Sequence, residues 1–485
     1  MARRRNPYPA LVVLALVPAL LLGGCWRFAD SRAPEAVAVE VDPTGTTAEV
    51  VEPGALTTPV LSVRRNPATL ARSVNLDAFS AALDGFLPQI DDTSCVAVSV
   101  DGMPVGSKHA DVALRPASNV KIITAAVALE VLGADFTYTT EVRGTVQNGV
   151  VTGDLWFVGS GDPVLSNEWW KGPNTKYPPF NVTSVEQLAA NIRDAGVTRI
   201  DGAIVGDASR YDDEWYAPSW GDDVRFTEGG PISALLVDDS RESNTVSSND
   251  PAVGAATVLT QALRDVGVQV TGQPTKGAAP ADADVVASIT SQPLSAILAE
   301  MLTTSDNNTA EMVLKEVGVQ AGGGGTREAG LKVVTDTLQS WGVPTDAITL
   351  VDGSGLSDDN RLTCAVMLAV VQHQSFDDPV GQGLAVAGAA GGTLSDAFVG
   401  SGLEGVLRGK TGTLYNYDDG TGGKPAAKAL SGYVPVDGGG AIEFAMLLNG
   451  PQIAEIVEYR PIWDAFGEVL LTYPSGPTAA ELGPR

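Results

Sequence analysis

Residues 116–133 read PASNVKIITAAVALEVLG. A polar, proline-led start gives way to an apolar run that stops at Gly133, the pattern of a buried helix with a marked beginning and end. Ser118 and Lys121 stand three apart at that beginning, which puts both side chains on one helix face. Read alone, Ser118 is a plain N-cap and Lys121 a solvated lysine. Two later stretches change that reading. Ser305-Asp306-Asn307 falls in a polar break, 304–308, between two apolar helical runs of LSAILAEMLTTSDNNTAEMVLKEVG (294–318). Lys410-Thr411-Gly412-Thr413 falls in EGVLRGKTGTL (404–414), which otherwise has the pattern of an apolar strand.

Each residue type suits one chemistry. A serine hydroxyl is a weak nucleophile and needs a base beside it. Lys121 serves as that base only when neutral, and burial or a neighbouring cation such as Lys410 would lower its pKa. The Ser305 hydroxyl would relay a proton, and the Asn307 amide would hold a substrate carbonyl. Lys410, Thr411 and Thr413 would offer a cation and hydroxyls to a carboxylate, with Gly412 letting a ligand approach the backbone. Taken singly, these are turn residues and an edge-strand charge. S-x-x-K, S-x-N and K-T-G in this order form the motif set of serine β-lactamases and penicillin-binding proteins.

The rest of the sequence narrows the field. The chain has 485 residues, 44% hydrophobic and 18% charged, which is enough for two or three domains and a sizeable core. Its 31 basic and 58 acidic residues leave a net charge of −27, so it lacks the footprint of a nucleic-acid binder. Three cysteines without a C-x-x-C pair exclude zinc-finger and iron–sulfur architectures. Two histidines, His109 and His373, leave little room for a histidine metal site or a Ser-His-Asp triad, and they read as a loop and a helix-surface residue. No metal or organic cofactor is implied.

Residues 1–25, MARRRNPYPALVVLALVPALLLGGC, read as a secretory signal with a basic start and a short apolar stretch. Its end, Leu-Gly-Gly-Cys, resembles a bacterial lipobox in which Cys25 is lipidated; an ordinary signal and an uncleaved anchor are the alternatives. Export permits a disulfide between Cys95 and Cys364, with two free buried thiols as the alternative. Residues 26–74 read as a disordered spacer. Residues 75–135 and 291–475 read as one α+β domain, an antiparallel sheet flanked by helices. Between them, 136–290 reads as an inserted, mostly-β domain or pair of subdomains, with an Asn148-Gly149 hairpin and a Trp- and Asp-rich loop at 211–228.

On these motifs the chain resembles the penicillin-binding proteins of the D-alanyl-D-alanine carboxypeptidase/endopeptidase type, the low-molecular-mass class C or S13 peptidase family, over about residues 75–475. Ser118 and Ser305 are 187 residues apart, far more than in class A β-lactamases, and this family inserts domains there. Gly159-Ser160-Gly161-Asp162-Pro163 and Asp352-Gly353-Ser354-Gly355-Leu356-Ser357 look like family signatures. The resemblance implies a serine β-lactamase/DD-peptidase-like fold and an acyl-enzyme on Ser118 with Lys121 as base. It implies Ser305 and Asn307 on the proton path and substrate, and Lys410, Thr411 and Thr413 on the terminal carboxylate. Backbone N–H groups of Ser118 and Thr413 would form the oxyanion hole, and Asp162 would face the pocket for the substrate side chain. The implied partners are peptidoglycan stem peptides, with β-lactams as covalent inhibitors. The membrane would be met only through the N-terminal segment. The sequence departs at Asp358, where the family commonly has Arg, and a carboxylate there would repel an acidic substrate group. A β-lactamase and a non-catalytic wall-binding lipoprotein are the competing readings. Against them stand the lack of an identifiable deacylating Glu and the intact motif residues.

Overall fold

The computed structural model describes residues 66–172, 176–222, 224–225, 227–243, 245–415, 425–436 and 439–483. The expected signal, its Cys25 and the spacer as far as residue 65 lie outside them.

The described chain opens with α1 (Pro67–Phe86), β1 (Cys95–Val100), β2 (Met103–Lys108) and α2 (Val120–Leu132). The insert follows, with β3 (Thr139–Arg143), β4 (Leu155–Val158), α3 (Val185–Asp194), β5 (Ile204–Asp207), α4 (Pro251–Asp265), β6 (Thr275–Lys276) and β7 (Val285–Thr290). Then come α5 (Leu294–Thr304), α6 (Asn307–Gln320), α7 (Arg327–Ser340) and α8 (Cys364–His373). The chain closes on β8 (Ala385–Val386), β9 (Arg408–Leu414), β10 (Ala426–Pro435), β11 (Ala441–Gly450) and α9 (Ile456–Leu470).

Strands β8-β9-β10-β11-β1-β2 form one antiparallel sheet. The alternation of β1 divides its two faces: Cys95 and Ala97 join the core with α2, α5, α6, α7 and α8, while Val96, Val98 and Val100 join the core with α1 and α9. All six residues of β1 are buried, as a strand covered on both faces must be. A disulfide ties Cys95, the first residue of β1, to Cys364, the first of α8.

The expected spacer runs too far. Asn66 caps α1 by accepting from Thr69 N–H, Pro67 stands in the first turn, and Ala71 is buried, so residues 67–74 are helical. At the other end Gly476 N–H donates to Asn75 Oδ1 and Asn75 Nδ2 donates to Pro477 O, so folded chain also passes 475. α9 runs straight through Pro461.

The insert joins strands with two helices around its own core. Its sheet, β6-β5-β4-β3-β7, is parallel from β6 to β4 and antiparallel beyond. The Asn148-Gly149 turn forms as expected, with φ of 48° and 79°, and pairs Val146 with Val151. The 211–228 loop packs Tyr211, Ala217 and Trp220 against Met312 of α6, joining the insert to the helices behind the motifs.

Candidate active site

The sheet and helices bring the three motifs to one wall. Ala117–Asn119 form a 3-10 turn leading into α2, with Ala117 in the left-handed region at φ 47°. That strained turn lies against two glycines. A Cβ on Gly412 would come within 2.9 Å of Ala117 Cβ and 3.1 Å of Ser118 N, and one on Gly355 would overlap the Ala117 carbonyl. Gly412 therefore makes room for the serine's own turn, and it also borders the cavity that Ser118 lines. Asn119 Nδ2 donates to Lys410 O at 3.1 Å and fastens the turn to β9.

Ser118 is not a cap. Its Oγ meets Lys121 Nζ at 3.0 Å, one turn along α2. Lys121 is fully buried and also donates to Asn307 Oδ1 at 2.6 Å and to Ser354 O at 2.7 Å. Burial pushes its pKa down to about 8, against the pull of Asp306, Asp352, Glu311 and Glu228. Desolvation, rather than a neighbouring cation, is what lowers it.

Ser305 holds φ at 67°, so α5 ends on it and α6 begins at once, capped by Asp306 Oδ1 accepting from Thr309 N–H at 2.6 Å. Lys410 on β9 has no exposed surface, and its Nζ donates to Ser305 Oγ at 2.7 Å and to Thr411 O at 2.8 Å. Burial first, then Lys121 and Lys428, hold its pKa well below the usual lysine value.

These residues border a cavity of about 570 Å³ whose wall includes Ser118, Ser305, Asn307, Thr411, Gly412 and Thr413. The insert supplies part of that wall, including Trp170, Glu228 and Arg241. It also grips α6. Glu228 O accepts from Asn307 Nδ2 at 2.6 Å, and Asn308 accepts from Gly230 N–H and donates to Asp239.

Behind Lys121 lies support that no motif announced. Glu311 Oε1 accepts from the N–H groups of Gly353 and Ser354, both at 2.8 Å, which aims the Ser354 carbonyl at Lys121. Arg327 Nε balances Glu311 at 2.9 Å. Asp352 gathers Gly355 N–H, Ser357 N–H, Asn360 and Trp220 Nε1. The only sign of this in sequence is the Asp352–Ser357 signature itself.

Asp162 is placed differently from the expectation. It is buried, its Oδ1 accepts from Val164 N–H at 3.0 Å, and it is not among the residues lining the cavity. Asp358 pairs with the buried Arg115 and does not line the cavity either, so its charge is met within the protein. His109 holds the Asp91 and Ser94 carbonyls, and His373 stacks on Trp341, both away from the cavity wall. Among the described residues no group of His, Cys, Asp and Glu is arranged to hold a metal ion.

The D-Ala-D-Ala carboxypeptidase 3 (S13) family model matches residues 79–251 and 240–466. A D-alanyl-D-alanine carboxypeptidase of Actinomadura sp. (strain R39) is 30% identical over 75% of this chain and 79% of that one. The carboxypeptidase DacB of Mycolicibacterium smegmatis is also 30% identical, over 92% of this chain and 94% of its own. Penicillin binding protein 4 of Haemophilus influenzae shares the fold, with a TM-score of 0.66 at 19% identity, covering 80% of this chain and 99% of that structure. With the three motifs gathered on one wall, these matches establish that the chain is a serine-type peptidase belonging to the D-Ala-D-Ala carboxypeptidase 3 (S13) family.

Proposed function

We propose that the D-Ala-D-Ala carboxypeptidase activity of this family resides here in Ser118, acting as nucleophile with Lys121 as its base. The observation that carries the reading is the 3.0 Å approach of Ser118 Oγ to a buried amine whose pKa is lowered to about 8. Neutral Lys121 accepts the Ser118 proton as Oγ attacks the carbonyl of the penultimate D-Ala. The developing oxyanion turns toward the N–H groups of Ser118 and Thr413. The proton held by Lys121 then passes through the Ser305 hydroxyl, itself held by Lys410, to the leaving amine, which restores neutral Lys121 as D-Ala departs. Water then attacks the acyl-enzyme, with Lys121 again taking the proton. Asn307 positions both Lys121 and the substrate amide. The same acyl-enzyme serves cross-link cleavage, so endopeptidase activity needs no further group.

The substrate is the stem peptide of peptidoglycan, which places the work outside the cytoplasmic membrane. An exported chain anchored through Cys25 fits that location, and among the described residues no helix is long and apolar enough to cross a membrane. A fatty-acid probe should label the wild type and spare Cys25→Ala; an unlabelled wild type refutes the anchor.

Benzylpenicillin tests the main reading, since a H. influenzae relative of the same fold has been seen with a β-lactam. Intact mass should show one persistent adduct on the wild type and none on Ser118→Ala. Rapid loss of drug without an adduct would instead favour a β-lactamase. Neither adduct nor drug loss would leave a non-catalytic wall protein.

A further inference from the structure

Two lysines flank the threonines of β9, and they are not equivalent. Lys410, the motif lysine, is fully buried and absent from the cavity wall. Two of its hydrogens are directed to Ser305 Oγ and Thr411 O, away from the cavity wall. Lys428 stands on β10 directly opposite Thr413 in the β9–β10 ladder, and it lines the cavity. Its Nζ donates to Thr413 Oγ1 at 2.9 Å. The ammonium lies over the Tyr459 ring at 4.2 Å and the Trp463 ring at 5.2 Å.

None of these contacts supplies a counter-charge, and burial lowers its pKa to about 8, which leaves it charged at neutral pH. Among the described residues no carboxylate is within ion-pair distance of Lys428. Asp396, which acts on it from further away, is engaged by Lys176 at 3.3 Å and Arg460 at 3.5 Å. The other charges that act on it, Lys410 and Arg460, are cations. An ammonium has three N–H donors. Thr413 takes one and the aromatic faces receive a second, which leaves a third for the cavity.

The bond to Thr413 has a second effect. Because Oγ1 accepts from Lys428, the Thr413 hydroxyl hydrogen must point elsewhere, and the cavity is where Thr413 is open. Thr413 O–H and Lys428 N–H thus form two neighbouring donors suited to the two oxygens of one carboxylate.

We propose that Lys428, rather than Lys410, is the cation that meets the C-terminal carboxylate of the substrate. Lys410 then acts as a positioning residue for the Ser305 hydroxyl. This rests on the reading of Ser118 as nucleophile, and the test separates the two.

Acylation of the full chain is followed by intact mass with benzylpenicillin and with its methyl ester, which lacks the carboxylate. In Lys428→Met the acid should react about tenfold more slowly, the worth of one charge-assisted hydrogen bond. The ester should stay within about twofold, because methionine keeps the packing on Tyr459 and Trp463. Lys428→Arg should recover most of the acid's advantage. Equal slowing of acid and ester would reduce Lys428 to packing and overturn the proposal, as would no slowing of either. A wild type that neither drug acylates would refute Ser118 itself, and the proposal with it.

Discussion

Two glycine-serine stretches look alike in the sequence and do different work. Gly159–Pro163 and Asp352–Ser357 each carry a Gly-Ser-Gly or Ser-Gly step, a buried aspartate and a glycine at φ 84–85°. Gly161 lies under the Tyr211 hydroxyl, which donates to Glu316 of α6 at 3.0 Å. Gly355 lies under the Ala117 carbonyl, one residue before Ser118, the proposed nucleophile. Asp162 holds its own turn, through Val164 N–H. Asp352 organises a loop whose Ser354 carbonyl accepts from Lys121 Nζ. The first stretch bolts the insert to the helices, and the second holds Lys121. Composition does not tell the two apart, because what matters is the element each stretch packs against.

Matched substitutions should expose the difference most strongly. A Cβ at either glycine overlaps a fixed neighbour and forces an unfavourable positive φ. Gly355→Ala and Gly161→Ala should therefore each cost roughly 3 kcal/mol of stability by denaturant titration. Only Gly355→Ala should also slow acylation of the folded protein, by about 100-fold, because it shifts the Ser118 turn. Gly161→Ala should stay within about threefold. Equal slowing in both variants, measured with benzylpenicillin, would break the distinction.

The same contrast explains what could be read in advance. The three motifs were legible because each keeps its residues within a short local pattern, S-x-x-K, S-x-N and K-T-G. The antiparallel sheet was legible from strand alternation, and the turn at Asn148-Gly149 from its two residues. Contacts made at long range were not. Lys121 meets Ser354 across 233 residues, and Glu311 reaches Ser354 across 43, with no local periodicity to mark either pair. Nothing local marks Lys428 either, since its place is set by the register that puts it opposite Thr413. The first turns of α1 were assigned to the spacer because their exposed polar face hides the spacing of Ala71, Asn75 and Phe79. Helix α4 does carry a local mark, the Asp250 cap followed by Pro251 in its first turn.

A smaller effect sharpens the role of the Asp352–Ser357 loop. Only neutral Lys121 accepts a proton, so wild-type acylation should rise tenfold per pH unit and level off near pH 8, where the buried amine loses its charge. Glu311 is one of the carboxylates that raise the Lys121 pKa. Glu311→Gln should therefore move the bend of the pH–rate profile downward, by up to about one unit. It should also cost about 2 kcal/mol, since among the described residues Arg327 keeps only Glu214 as an ion-pair partner. An unmoved bend would mean that the loop acts on Lys121 through shape alone.

The smallest expected effect on catalysis belongs to Asp162. Burial raises its carboxyl pKa from 3.8 to about 6 in the folded protein. The folded state therefore favours the protonated form. That contribution to stability is fully present below about pH 3.8 and is lost as pH rises through about 6. At pH 8 the buried charge costs up to about 3 kcal/mol. Asp162→Asn keeps an oxygen for Val164 N–H and removes the charge. Its melting temperature should exceed that of the wild type at pH 8, and the gap should narrow toward pH 4. Acylation by benzylpenicillin and release of D-Ala from peptides with free or amidated side chains should be unchanged within about twofold. A changed side-chain preference would return Asp162 to the substrate pocket implied by the family resemblance. The two stretches would then share one task, because both would touch the reacting complex.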